Sequence, residues 1–166
     1  MINIKLKRPI RYQGAIIRDH HILLIRHMHY NTGHTYWIFP GGGIESEETE
    51  EECVKREMKE ETNLSVRVLS LLDEMPKSRE SSHYSFYRTY LCEILSGDAK
   101  PGYDPEYESE SNMKELHSIV EIKWFNLRDE SSWDPLLVND PIIYLPLQRL
   151  RKKLGYLPWL FSGRIL

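Results

Sequence analysis

The run from Thr49 to Glu61 constrains this chain more than any other. It contains no Gly or Pro and is rich in Glu, Lys, Arg and Met, all strong helix formers. Ser46 and Thr49 can cap its start, and Asn63 suits the position just past its end. These signals predict a helix over 49–61. Residues three and four apart are neighbours on a helix, so Glu51 meets Lys55, Glu52 meets Arg56, and Glu60 meets Arg56 one turn back. These read as ordinary surface pairs. Glu57 and Glu61 have no basic residue at those spacings.

At about 100° per residue, Glu57, Glu60 and Glu61 share one arc. Cys53, Val54 and Met58 lie on or beside it, while Lys55 and Lys59 point the other way. Three carboxylates are thus expected on the side facing the protein body. Each exposed like-charge pair costs roughly 0.2–0.5 kcal/mol, and burial costs more. Two readings remain open from spacing alone: an unusual acidic face, or a site for a divalent cation. Hard oxygen ligands suit Mg²⁺, Mn²⁺ or Ca²⁺.

Gly41-Gly42-Gly43 precedes this helix and is expected to form a tight loop that can bring a carbonyl to an ion. It is not a P-loop, since no Gly-Lys-Ser/Thr follows, and its spacing is not that of a dinucleotide fingerprint. An acidic site accepts phosphate when a metal bridges the two, which points to phosphate-ester or pyrophosphate chemistry.

The rest of the chain reads as strands with one further helix. Tyr12–Ile17, Ile22–Ile25, Tyr36–Phe39, Leu64–Leu72, 83–95 and Ile119–Phe125 carry β patterning. In 83–95, Tyr84, Phe86, Tyr90, Cys92 and Ile94 fall on one face. Residues 98–115 are polar and turn-rich and are expected to form a long loop. Pro141 to Leu154 predicts a helix with Leu145, Leu147, Leu150 and Leu154 buried. Strands outnumber helices without regular alternation, so the expected class is α+β, a mixed sheet covered by helices.

A chain of 166 residues suits one domain over 1–166. With 40% hydrophobic and 28% charged residues it can build a core. A net charge of −3 gives no footprint for duplex nucleic acid. Cys53 and Cys92 are too few for a disulfide framework or a thiolate zinc site and read as core residues. No run is long and apolar enough for a membrane span and no signal peptide is visible, so a cytoplasmic protein is expected. Segment 157–161, Leu-Pro-Trp-Leu-Phe, is strongly apolar and could pack on the domain or on a second subunit, making a homodimer an expectation.

Gly42, Glu48 and Arg56-Glu57-Met58-Lys59-Glu60-Glu61-Thr62-Asn63-Leu64 fall at the spacing of the Nudix box, and the 42–64 segment resembles that of the MutT-like Nudix hydrolase family. Trp37-Ile38-Phe39-Pro40-Gly41-Gly42 is similar to the usual lead-in, and Lys123-Trp124-Phe125-Asn126-Leu127 to a late strand of many members. The match departs in two places: Asn63 replaces the box's last glycine, and Glu47 stands where glycine is frequent. The resemblance implies an αβα sandwich around a mixed sheet, and Mg²⁺- or Mn²⁺-dependent hydrolysis of a nucleoside diphosphate linked to another moiety. It further implies that Glu57, Glu60 and Glu61 bind metal, with a carbonyl of Gly41 or Gly42 completing the shell. Arg56 and Glu48 would hold loop and helix together. The general base would be a box glutamate or one of Glu106, Glu108, Glu110, Glu115 and Glu121.

Substrate contacts are expected outside the box. Arg11 and Arg26 could hold phosphates, and Trp37 or Tyr36 could stack a base. His27, His29 and His34 lack the Cys or carboxylate spacing of a zinc site. The resemblance implies a metal-dependent pyrophosphohydrolase acting on a small nucleotide-derived molecule. The alternative is a non-catalytic sensor of a nucleotide. An isomerase acting on an isoprenoid diphosphate would need a catalytic Cys outside the box helix, and Cys92 on a patterned strand suits that poorly.

Overall fold

The Ile22-Leu23-Leu24-Ile25 run is apolar at every position, as a strand buried on both faces must be. A computed structural model, describing residues 10–29, 32–76, 84–102 and 117–157, places it at the centre of the protein. The strands are β1 (Ile10–Arg18), β2 (His21–His29), β3 (His34–Ile38), β4 (Gly41–Gly43), β5 (Ser65–Pro76), β6 (Phe86–Ser96) and β7 (His117–Asn126). The helices are α1 (Glu50–Thr62), α2 (Pro135–Val138) and α3 (Pro141–Lys153), with a 3-10 turn at Glu130–Ser132. The sheet runs β3-β2-β1-β6-β5, with β4 added to β1 and β7 to β2. The β1–β6 pair is parallel and the other pairs are antiparallel.

Each face of the sheet carries its own core. Alternation along β2 sends Leu23 and Ile25 to one side and Ile22 and Leu24 to the other. The first side packs on Cys53, Val54 and Met58 of α1. The second packs on Leu137 of α2 and on Ile143, Leu147 and Leu150 of α3. This is an αβα sandwich of the α+β class. Both cysteines are buried, and burial pushes the Cys92 thiol up to about 12. The α3 layer is also tied to β5 by Asp73, which accepts from Arg149 at 2.9 and 3.0 Å and from Lys153 at 2.5 Å.

Three details differ from the sequence reading. Gly41-Gly42-Gly43 is a strand rather than a loop, paired as Tyr12↔Gly42. Glycine carries no β signal, so only the partner strand reveals it. Leu145 is exposed, and Ile143 takes its place in the core. The stripe of α3 is Ile143, Leu147, Leu150, Leu154, a three-and-four spacing that leaves Leu145 about 200° from Ile143. Segments 103–116 and 158–166, which include most of the long polar loop and of the apolar tail, lie outside the described residues.

Left-handed backbone at non-glycine residues occurs at three places among the described residues. Asp19 and His20 have φ of 49° and 63°, the mirror-image turn that matches the twist of a two-residue hairpin between β1 and β2. Glu47 has φ 65° and Asn63 has φ 62°. Asn tolerates this region, and Asn63 closes α1 by donating its backbone N–H to the Lys59 carbonyl. Glu47 has no such excuse, since a left-handed residue with a Cβ costs roughly 1–2 kcal/mol against about 0.5–1 kcal/mol for glycine's extra chain entropy. Glu47→Gly is therefore expected to leave stability unchanged or raise it by up to about 1 kcal/mol in urea denaturation. A loss of stability would show that the exposed Glu47 side chain contributes contacts that its position does not suggest.

Candidate functional site

Helix α1 is closed at its first turn by its own side chains. Thr49 is its N-cap, accepting from the Glu52 N–H at 3.2 Å, while the Glu52 carboxylate accepts from the Thr49 N–H at 2.8 Å. This capping box satisfies two of the helix's open donors. The buried side of α1 is Cys53, Val54, Glu57, Met58, Glu61 and Thr62. Burying apolar Cys53, Val54 and Met58 against the sheet thus carries Glu57 and Glu61 inward as well. Glu60 sits at the border, with 28% of its side chain exposed, and Lys55 and Lys59 face water.

Arg56 compensates much of this acidity. Its guanidinium grips Glu48 with two bonds, Nε to Oε1 at 2.8 Å and Nη2 to Oε2 at 3.0 Å. It also donates to the Gly43 carbonyl at 2.9 Å, Glu57 Oε1 at 2.8 Å and Glu60 Oε2 at 3.2 Å. Sequence spacing paired Arg56 with Glu52 and Glu60 as surface contacts. The structure keeps the Glu60 pair, leaves Glu52 to the Thr49 cap, and also sends Arg56 sideways to its neighbour Glu57 and back to Glu48, which lies before the helix and so is invisible to three-and-four counting. Burial opposes the charge of Arg56, but hydrogen bonding to Glu48 and the charge of Glu57 outweigh it and hold the guanidinium above its ordinary pKa. In return, Arg56 holds the Glu48 carboxyl below the usual glutamate value.

Glu57 and Glu61 meet the backbone of β4. The Gly41 N–H donates to Glu61 Oε2 at 2.7 Å. A Cβ on Gly42 would overlap the Glu57 carboxylate, so only glycine lets the strand lie this close. Glu61 is fully buried, and its Oε1 has no hydrogen-bond partner among the described residues. His27 Nε2 lies 3.7 Å from that oxygen, too long for a hydrogen bond. A buried carboxylate oxygen without a bond costs roughly 1–3 kcal/mol or more, so its persistence calls for a ligand. Among the described residues no group of three His, Cys, Asp or Glu side chains already converges as a metal cage. Glu57 and Glu61 both lie against the glycine strand, and oxygen donors of that kind fit a cation that retains water and substrate oxygens in its shell.

The other expected site residues fall elsewhere. Trp37 is 1% exposed, packs edge-on against Phe125 and donates its indole N–H to Asp134 at 3.1 Å. That corrects the base-stacking expectation: the ring is core and has no open face. Arg26 is in register with Trp37 and bonds Glu121 and Thr35, both at 3.1 Å. It and Glu121 therefore sit on the sheet face opposite His27 and Glu61, which corrects the phosphate role expected of Arg26 and the base role considered for Glu121. Arg11 is buried, donates to the Phe39 carbonyl at 3.3 Å and lies over the Tyr84 ring at 5.7 Å. Glu106, Glu108, Glu110 and Glu115 lie outside the described residues. Sequence reading passed over His27, because without zinc spacing nothing marked it. The signal available was parity: His27 is two residues beyond Ile25 and so shares its face.

Comparison with known proteins shows the same pattern. The NUDIX domain model matches residues 9–144. The chain is 29% identical over 132 residues to an ADP-ribose pyrophosphatase of Methanocaldococcus jannaschii, covering 77% of this chain and 76% of that one. It is 36% identical over 93 residues to putative nudix hydrolase 1 of Caenorhabditis elegans, covering 56% of this chain. The chain spans only 21% of the length of that nematode relative. The fold resembles a NUDIX hydrolase from Nitrosomonas europaea at TM-score 0.66 and 18% identity, covering 96% of this chain and 98% of that one. No helix among the described residues is long and apolar enough to cross a membrane.

Two outcomes follow from this geometry. Gly42→Ala is expected to displace the Glu57 carboxylate and to lower the melting temperature, because the added methyl overlaps it. An unchanged melting curve would show that Glu57 does not press on β4. The Glu48–Arg56 pair contributes stability above the unfolded glutamate pKa, and this is lost as pH falls through the depressed folded value. The stability gap between the wild type and Glu48→Gln should therefore be constant near neutrality and close below about pH 4. A gap that persists in acid would deny the pair its role.

Proposed function

The chain belongs to the Nudix family, and from that premise we propose that it hydrolyses the pyrophosphate bond of a nucleoside diphosphate linked to another moiety, with Mg²⁺ or Mn²⁺. The observation that carries this reading is the fully buried Glu61 carboxylate, one oxygen anchored by Gly41 and the other without a hydrogen bond among the described residues, beside Glu57 on the same glycine strand. Glu57 and Glu61, with a carbonyl of Gly41 or Gly42, would hold the cation, and Glu60 borders the same surface. When bound, the ion polarises phosphoryl oxygens and makes water nucleophilic at neutral pH.

The protein's own groups do the rest. Burial of Glu57 and Glu61 excludes bulk water and strengthens every charge interaction at the site. The Gly41 N–H fixes the Glu61 carboxylate in one orientation. Arg56 prevents Glu57 and Glu60 from repelling each other apart and keeps α1 registered on Gly43. A proton from the attacking water would pass to a glutamate of the box or of segment 106–115. The archaeal relative is named for ADP-ribose, which makes ADP-ribose the first molecule to assay, beside sugar nucleotides and dinucleoside polyphosphates.

Glu61→Gln keeps an acceptor for the Gly41 N–H but removes the charge. It is expected to fold normally and to lose about 10²-fold or more in kcat with Mg²⁺, while EDTA abolishes wild-type turnover. Unchanged turnover in Glu61→Gln would overturn the assignment. Tight binding of one nucleotide by the wild type without any turnover would favour the sensor reading.

A further inference from the structure

The register of β5 and β6 carries the chain back over the end of α1. The pair closes with Ser65 opposite Ser96. Residues just past 96 therefore lie beside residues just before 65, which are the last of α1 and its cap. Segment 97–102 runs along that end and bonds it three times. The Gly102 N–H donates to the Glu61 carbonyl at 3.0 Å, and the Lys100 N–H donates to the Thr62 carbonyl at 3.1 Å. The Asn63 side-chain amide donates to the Asp98 carbonyl at 3.2 Å. Two glycines permit so close an approach. A Cβ at Gly102 would overlap the Glu60 carbonyl oxygen, and one at Gly97, whose φ is 101°, would overlap that of Asn63.

This end of α1 is the part of the helix with most reason to unwind. Its terminal carbonyls form the negative end of the helix dipole, and Glu57, Glu60 and Glu61 add their charges there. The Gly102 and Lys100 N–H groups point the opposite partial charge at those carbonyls. Glu61 is thus held at both ends, its carboxylate by the Gly41 N–H and its main chain by the Gly102 N–H.

We propose that segment 97–102 is a brace that fixes where the Glu60 and Glu61 carboxylates sit, with Gly102 as the positioning residue. This rests on the metal-dependent hydrolase reading above. Gly102 acts through the helix: its missing side chain lets the brace close on Glu60, and its N–H stops the last turn from moving. A displaced turn would carry the metal-holding carboxylates with it, and small misplacements of such groups weaken metal binding and slow the chemistry.

The test uses the full chain and reads Mn²⁺ binding from the free-ion signal in electron paramagnetic resonance, beside turnover of ADP-ribose at saturating Mn²⁺. Gly102→Ala is expected to weaken Mn²⁺ binding about tenfold or more and to lower kcat about 10- to 100-fold, with KM within about threefold. Lys100→Pro, which deletes the donor to the Thr62 carbonyl, should weaken Mn²⁺ binding in the same way and keeps the test open if Gly102→Ala does not fold. Leu147→Ala, in the core on the other face of the sheet, is the control for lost stability: its melting temperature should fall while Mn²⁺ affinity and kcat stay within about twofold of wild type. Mn²⁺ affinity within about twofold of wild type in every folded brace variant, or an equal loss in Leu147→Ala, would overturn the brace. If the brace variants lose Mn²⁺ affinity while the wild type turns over nothing, the brace stands and the hydrolase reading fails. If the wild type takes up no Mn²⁺, with or without ADP-ribose, both fail.

Discussion

The guanidinium of Arg56 is the interaction on which the site depends. One side chain reaches the loop before α1 through Glu48, the glycine strand through the Gly43 carbonyl, and the helix itself through Glu57 and Glu60. With 18% of the side chain exposed, these are partly desolvated, charge-assisted bonds rather than surface pairs. Removing one member of such a group leaves an uncompensated charge, which typically costs about 3–5 kcal/mol. Without Arg56 the glutamates that the apolar side of α1 carries inward would face one another with their charge uncompensated.

The remaining design follows from that fixed point. The apolar residues Cys53, Val54 and Met58 drive α1 onto the sheet, and helical geometry carries Glu57 and Glu61 in with them. β4 can accept those carboxylates because it is all glycine: Gly42 leaves room for Glu57, and Gly41 turns a backbone N–H toward Glu61. The result is a pair of buried carboxylates held between a strand and a helix. Stability and chemistry conflict there, since the same burial that would sharpen metal-assisted hydrolysis leaves Glu61 Oε1 without a hydrogen bond among the described residues.

The face of the sheet decides which of the neighbouring groups can serve the site. Along β2, Arg26 and His27 are adjacent in sequence but lie on opposite faces. Arg26 joins Trp37, Glu121 and the α2–α3 layer, whereas His27 joins Glu61 and Tyr36. A single residue of parity thus separates a structural pair from a group beside the carboxylates.

Local chemistry was legible before any coordinates. The α1 helix, its Thr49 cap, the left-handed Asn63, the buried run of β2 and the gathering of acids on one side of a helix all follow from spacing within a few residues, where backbone geometry is nearly invariant. The box spacing was enough to suggest the family. What reached across the chain was not legible. That Gly41-Gly42-Gly43 pairs with Tyr12, that Trp37 is core while His27 faces Glu61, and that Ile143 displaces Leu145 all depend on which strands and helices meet. Those meetings are set by long-range burial and register, and no local periodicity encodes them.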